Sequence, residues 1–411
     1  MTFLRAGVLV LLAMCASGAE RKDWKALRAQ IRDTLHIPES LPAPERKLYG
    51  SFSLAPGVSA DRVSYATAYS LRIPAIVYHP AEHKRMRRPA LVIVNGHGGD
   101  KSSWYAYWAG ILYARAGAVV LTYDPIGEYE RNHLRESGTS QHDAYIPPDD
   151  MARRMGGLMV QDVMSAVKYL RTRKDVDKGR IAVLGYSMGS LITSIACAAD
   201  EHVKSCVLVG GGDLDGPGGY WDSSRRMCQA IPYQSLKVLG DRGPVIFALQ
   251  AKNGPTLIWN GTADTVVDIP HHGPDFFKKL HEQTADLLGS PKHVFEFGFT
   301  PNGGHRPYFV TKPVALWLAK TLKFPNWSAD QIESMPETHI SHWAARNGIV
   351  SNSLKSETGE GGTLALGNDI PAVNRDLLHA LPESVWSAER ERYVYETWVD
   401  HAKAAIRSGA P

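Results

Sequence analysis

The stretch Gly185-Tyr186-Ser187-Met188-Gly189-Ser190 constrains this chain more than any other. It follows the apolar run Arg180-Ile-Ala-Val-Leu184 and precedes a helical pattern through Leu191, Ile192, Ile195 and Ala196, so strand, tight turn and helix are expected in succession. A serine on such a bend is lifted to the carboxyl edge of a sheet. Gly185 and Gly189 let the backbone pass close to itself without Cβ clashes. The helix beginning at Met188 then aims its N–H groups and positive dipole end at any negative charge developing beside Ser187. An ordinary turn serine is the competing reading, and the flanking patterns weigh against it.

Strand and helix patterns alternate on both sides of this bend. Ala90-Leu-Val-Ile-Val94 and Ala118-Val-Val-Leu-Thr122 are apolar runs of the buried-strand type, and Val203–Val209 and Thr256-Leu-Ile-Trp259 also read as strands. Further strands are expected over 63–70, 73–79 and 293–297. The pattern predicts an α/β fold with a mostly parallel central sheet and helices on both faces. After the run at 90–94 comes Asn95-Gly-His-Gly-Gly-Asp100, a glycine-rich turn whose amides can face an anion near the serine. The His97 amide is the expected donor beside that of Met188, with His97 as a catalytic base the rival reading. The aromatic cluster Trp104, Tyr105, Tyr107 and Trp108 has helical spacing and reads first as core, with Trp104 a candidate to floor a substrate cleft.

Asp264 and His305 complete an order. A serine hydroxyl is a weak nucleophile and needs a base, and the base needs a carboxylate to fix its tautomer. Ser187, Asp264 and His305 each follow a predicted strand, in the order Ser, Asp, His. Asp268 is the substitute acid, four residues further on. The sequon-like Asn260-Gly-Thr262 reads as accidental, because a glycan there would obstruct the acid turn.

These residues resemble the α/β-hydrolase superfamily: Ser187 in Gly-Tyr-Ser-Met-Gly, Asp264 in Asn-Gly-Thr-Ala-Asp and His305 in Gly-Gly-His. Asn95-Gly-His-Gly-Gly-Asp-Lys101, Tyr123-Asp-Pro-Ile-Gly-Glu-Tyr-Glu-Arg131 and Val176-Asp-Lys-Gly-Arg180 are similar to the secreted branch of acetyl xylan esterases and dienelactone hydrolases. The resemblance implies carboxylic ester hydrolysis through an acyl-serine intermediate, with deacetylation of a plant polysaccharide as the suggested substrate class. Asn95 departs from the usual His of that turn. A secreted peptidase of the same fold, a thioesterase and a non-catalytic binding protein are the alternatives. No propeller-length repeat supports the peptidase, and no triad member is missing as a binding protein would imply.

The resemblance covers residues 61–323 as the catalytic domain. Residues 1–19 carry a charged start, a short apolar run and small residues before Glu20, the pattern of a signal peptide, which predicts a secreted or periplasmic protein. Lipid attachment at Cys15 is disfavoured by the large Met14 before it. Residues 20–60 read as an amphipathic helix and a Pro-rich connector, 213–254 as a cap-like insertion bearing Trp221, Arg225, Arg226 and Tyr233, and 324–411 as an extension wrapping the core. Trp221 is a candidate substrate contact. In the polar loop 128–150, His142 and Tyr145 are candidates to roof the pocket, against a surface role for His142.

Composition excludes other classes. A net charge of +4, spread along the chain without a large Lys/Arg block, argues against a nucleic-acid partner. No run beyond the first residues reaches the roughly 18 apolar residues of a membrane span. No H-E-x-x-H or clustered carboxylates appear, and Pro80 interrupts His79-x-x-x-His83, so neither a catalytic metal nor a cofactor is expected. After cleavage Cys197, Cys206 and Cys228 remain, which permits one disulfide, with free buried thiols or a bridge to Cys228 both open. The expected partner is a small-molecule or polysaccharide ester, and the oligomeric state is open.

Overall fold

The computed structural model describes residues 22–82, 86–139, 141–144, 150–214, 230–349 and 362–409. The signal-like segment, Cys15, Tyr145, Trp221, Arg225, Arg226 and Cys228 lie outside the described residues. Nine strands form one sheet: β1 (Lys47–Ala55), β2 (Val58–Ala66), β3 (Arg72–Pro80), β4 (Arg88–Val94), β5 (Val119–Tyr123), β6 (Val176–Tyr186), β7 (Ser205–Val209), β8 (Thr256–Gly261) and β9 (Glu296–Thr300). Their spatial order is β1-β2-β3-β5-β4-β6-β7-β8-β9, antiparallel from β1 through β3 to β5 and parallel from there to β9.

The period of two splits the central strands between two cores. Val92, Val94, Val183, Leu208 and Ile258 enter one, while Leu91, Ile93, Ala182, Leu184, Val207 and Leu257 enter the other. Parallel strands need crossovers, and helices supply them. Helix α1 (Trp24–Thr34) precedes the sheet, α2 (Trp104–Arg115) links β4 to β5, α3 (Asp150–Thr172) links β5 to β6, and α4 (Met188–Ala199) links β6 to β7. The short α5 (Ala230–Ser235) and α6 (Arg242–Asn253) precede β8, α7 (Ile269–Leu288) joins β8 to β9, and α8 (Lys312–Leu322) follows β9. Residues of α1, α3, α4, α6 and α7 enter the first core, and those of α2 and α8 the second. Among the described residues no helix is long and apolar enough to cross a membrane.

Three expectations change. The connector within 20–60 ends in a strand, β1, which pairs with β2 through register shifts at Leu48/Gly50 and Ser53/Ala55. Those bulges break the alternation by which an edge strand is read. Helix α6 lies inside the stretch 213–254 but packs against α4 and α7 as an ordinary crossover helix, with Tyr233 buried nearby. Cys197 on α4 pairs with Cys206 on β7, not with Cys228, because the short turn after α4 brings the chain back along that helix.

Helix α2 is apolar all round and buried from Trp104 to Ala114. Such a helix needs cover on both sides. The sheet covers one and the C-terminal extension the other: Trp343 meets Trp108 edge to face at 5.2 Å, Trp108 Nε1 donates to Leu366 O at 3.1 Å, and Trp343 Nε1 donates to Ile370 O at 3.0 Å. The closing helix Tyr395–Ser408 buries Trp398 in the opposite core. The extension therefore shares both cores. Trp343→Ala is expected to cost about 3 to 5 kcal/mol by chemical denaturation, within one cooperative transition; a cost below about 1 kcal/mol would show that α2 holds without this cover.

Candidate active site

Ser187 stands between β6 and α4 with φ 53° and ψ −119°. A non-glycine residue rarely adopts positive φ, and here close packing imposes it. A Cβ on Gly185 would lie 2.2 Å from Gly189 O, and one on Gly189 would lie 2.3 Å from Val94 O. Strand, turn and helix meet with no space for a side chain at either glycine. The Ser187 amide donates to Val209 O at 3.0 Å, which fixes the bend to the end of β7. Met188 opens α4.

The next residue along β7's end, Gly210, has φ 61°, and a Cβ there would meet His305 Cε1 at 2.9 Å. The His305 ring thus occupies the space a side chain would fill. His305 Nδ1 and Asp264 Oδ2 are 2.8 Å apart, with Asp264 fully buried and the His305 side chain 12% exposed. The other Asp264 oxygen accepts from the Val266 and Val267 amides at 3.0 and 3.3 Å. A carboxylate so held presents one oxygen to the ring and keeps its proton on Nδ1, leaving Nε2 as the basic nitrogen. Asp268 is not at this position; it opens α7, part exposed, with His271 at 3.2 Å. Asn260 is buried and exchanges two 2.9 Å bonds with Gly211, so its amide is engaged inside the fold.

The turn after β4 packs directly on the elbow, since a Cβ on Gly96 would touch Ser187 Cβ at 3.3 Å. Its shape has named causes. Asn95 Nδ2 donates to Tyr123 O at 3.0 Å, the Gly96 amide donates to the Tyr105 hydroxyl at 3.2 Å, and the Gly99 amide donates to Gly96 O at 2.9 Å. Asn95 therefore ties the turn to β5 through its side chain. His97 is half-buried at the tip, its ring 4.9 Å from that of His142 and edge-on to it.

His142 is buried, which corrects the surface expectation: its Nδ1 lies 3.1 Å from Ile126 O, and a carbonyl can only accept, so Nδ1 carries the proton. Trp104 does not floor a cleft. It is 3% exposed, packed against Tyr105 and Trp108 at the start of α2.

The sequence reading missed Tyr186 and Glu128. Tyr186 packs on His305 with ring centroids 5.1 Å apart and donates its hydroxyl to His305 O at 3.2 Å. Its place as the variable residue of the elbow motif gave no signal. Glu128 is fully buried beside the turn, accepting from the Gly138 amide at 2.6 Å. Burial pushes its carboxyl up to about 7; the Gly138 amide opposes this, and Asp100 adds to it. Beneath lie Lys101, Asp124 and Glu130, with Lys101 Nζ 2.5 Å from Asp124 and 2.7 Å from Glu130, all without solvent exposure. Burial disfavours the ammonium, and the two carboxylates more than offset it, so Lys101 is held above its usual range.

Known proteins share similarity with this chain at the level of the fold. The family model of the prolyl oligopeptidase family matches residues 148–330. The solved structure of methylesterase BT1017 superposes with a TM-score of 0.53 at 18% identity, covering 89% of this chain and 75% of that one. This is an α/β-hydrolase fold. The putative hydrolase YtaP of Bacillus subtilis is 42% identical over 53 residues, 13% of this chain and 18% of that protein. Uncharacterized protein PA2218 of Pseudomonas aeruginosa is 26% identical over 157 residues, 38% of each. The chain thus matches less than half the length of these two relatives.

Glu128 predicts a pH effect on stability. An unfolded glutamate releases its proton near pH 4.3, whereas folded Glu128 keeps it to about pH 7. Between these values only the unfolded chain loses the proton, so stability falls as pH rises through the window and is flat above it. Glu128→Gln removes the loss. The unfolding free energy of the variant relative to wild type should climb by roughly 3 kcal/mol between pH 4.5 and 7.5; a difference independent of pH would refute the assignment.

Proposed function

We propose that the chain is a serine carboxylic-ester hydrolase working through Ser187, His305 and Asp264. The observation that carries this reading is the 2.8 Å contact of His305 Nδ1 with buried Asp264, on the sheet edge that also bears the strained Ser187. His305 Nε2 takes the proton of Ser187 Oγ as the oxygen attacks the ester carbonyl, and the electron pair of the C=O moves to oxygen. The amides of Met188 and His97 hold that oxyanion, each worth about 3 to 4 kcal/mol in the transition state. Collapse expels the alcohol, which takes the proton from His305, and leaves the acyl-serine. Water then repeats the sequence and releases the acid. Asp264 stays ionised and holds the imidazole throughout.

The substrate class follows from the resemblance of the glycine-rich turn and of 123–131 to carbohydrate esterases: an acetylated polysaccharide, met outside the cytoplasm if residues 1–19 direct export. The likeness to a solved methylesterase supports the fold this reading needs. His142 now belongs to the wall behind His97, and Trp221 remains a proposed substrate contact. Peptide cleavage is the second reading, because the prolyl oligopeptidase family model matches 148–330.

Purified protein is expected to hydrolyse p-nitrophenyl acetate faster than the octanoate, and Ser187→Ala is expected to abolish turnover by a factor on the order of 10⁴ or more. Asp264→Asn should lose about as much through the wrong tautomer. Turnover of peptidyl p-nitroanilides with none of the esters would transfer the assignment to the peptidase, and ester turnover undiminished in Ser187→Ala would remove the triad.

A further inference from the structure

Arg375, in the extension beyond α8, bonds directly to the turn beside the proposed site. Arg375 Nη2 donates to Asp100 Oδ2 at 2.6 Å and to Ser137 Oγ, and its guanidinium lies over the Tyr129 ring at 3.9 Å. Asp100 ends the turn that carries His97. Its other oxygen accepts from the Ser102 amide at 2.7 Å and the Ser102 hydroxyl at 2.5 Å, and its own amide donates to Ser103 Oγ at 3.0 Å. Ser137 begins the segment that packs on the same turn, since a Cβ on Gly98 would lie 3.3 Å from Gly138 Cα.

We propose that Arg375 is a positioning residue for the oxyanion turn, clamping Asp100 and the 137–138 segment so that the His97 amide faces Ser187. The proposal rests on the esterase reading given above. Arg375 is suited to this because the extension holds it from elsewhere. The Ala380 and Leu381 amides donate to the two oxygens of Glu130 at 2.7 and 2.9 Å, Arg62 donates to Leu377 O and His379 O at 3.1 and 3.0 Å, and the His379 ring stacks on Tyr129 at 5.2 Å. These bonds anchor residues 377–381 without the Arg375 side chain, so its loss frees the turn and not the extension.

The electrostatics agree. Asp100 is 1% exposed and lies beside buried Glu128. Burial would raise its carboxyl, and Arg375 first, then Ser102, Ser137 and Lys101, bring it below the usual range. Without the guanidinium a buried carboxylate loses its main counter-charge, and the turn relaxes toward water or protonates. A displacement of about 1 Å in a catalytic donor lowers rates on the order of a hundredfold.

The test is steady-state hydrolysis of p-nitrophenyl acetate by the full chain, with Arg375→Met, Arg375→Lys, Asp100→Asn and Lys47→Met beside Ser187→Ala. Lys47→Met removes a different contact of the extension, to Glu389 at 3.0 Å. Arg375→Met is expected to lower kcat roughly ten- to a hundredfold with KM within about twofold, and Arg375→Lys to restore part of it. Asp100→Asn should lose a similar factor, and the double variant no more than the larger single loss. Lys47→Met should lower Tm and leave kcat alone. A wild-type kcat in Arg375→Met, or equal kcat losses in Arg375→Met and Lys47→Met, overturns the clamp while leaving the esterase reading standing. Should Arg375→Met fail to fold, a wild-type kcat in Asp100→Asn overturns it equally. A wild type no more active than Ser187→Ala overturns the esterase reading itself.

Discussion

Helix α4 approaches the ends of β4 and β6 so closely that Gly185 and Gly189 face carbonyl oxygens where any Cβ would clash. The strained Ser187 backbone follows from that approach, at a cost on the order of 1 to 3 kcal/mol. The approach also brings Asn95 and Gly96 against the elbow, so Ser187 and the glycine-rich turn are placed by one contact rather than two. It holds because the surroundings leave no slack. The Ser187 amide is bonded to β7, and every residue of α4 is buried.

Around this apolar junction the ends of β4 and β5 gather Asp100, Lys101, Asp124, Glu130, Arg131 and Asp162, all almost or wholly buried. Ion pairs in such places add little net stability, because desolvation offsets most of the attraction. What they do is restrict geometry. Lys101 meets two carboxylates, Arg131 meets Asp162 and also donates to Asp124 O, and Thr67 donates to Asp162 at 2.8 Å. A shift of one residue would leave a charge buried without a partner, so the chain around Lys101 after β4 and around residues 124–131 after β5 is held to one arrangement.

The legible part of the sequence was the part governed by short-range rules. Buried parallel strands announce themselves as runs such as Ala90–Val94, and the bend at Ser187 by its glycines. Asp264 was the expected acid with Asp268 its substitute, and the structure separates them because it is the Asp264 carboxylate that is bonded to His305 while Asp268 stands at the start of α7. Edge strand β1 was missed because the register shift at Leu48/Gly50 moves its alternation by one residue midway along the strand. The disulfide depended on a helix-to-strand return that spacing does not encode. His142 looked like a loop histidine and is buried, since a long polar loop can fold into its own small interior. Lys101 and Glu130 were visible as letters in the turn and in 123–131, but nothing local says that their charges meet without water.

The extension resolves a conflict that the aromatic cluster posed. A helix as apolar as α2 at the surface of a sheet requires a second layer, and Trp343 and Leu366 supply it from residues outside the superfamily pattern. Trp398 of the same extension lies in the opposite core. The chain between them must therefore pass around the sheet, and it passes where β5 ends. There Glu130 receives two of its backbone amides. On any other path those amides and that buried carboxylate would each need a new partner. The same passage brings Arg375 to Asp100, so the covering of α2 and the bracing of the turn beside Ser187 are two consequences of a single chain path.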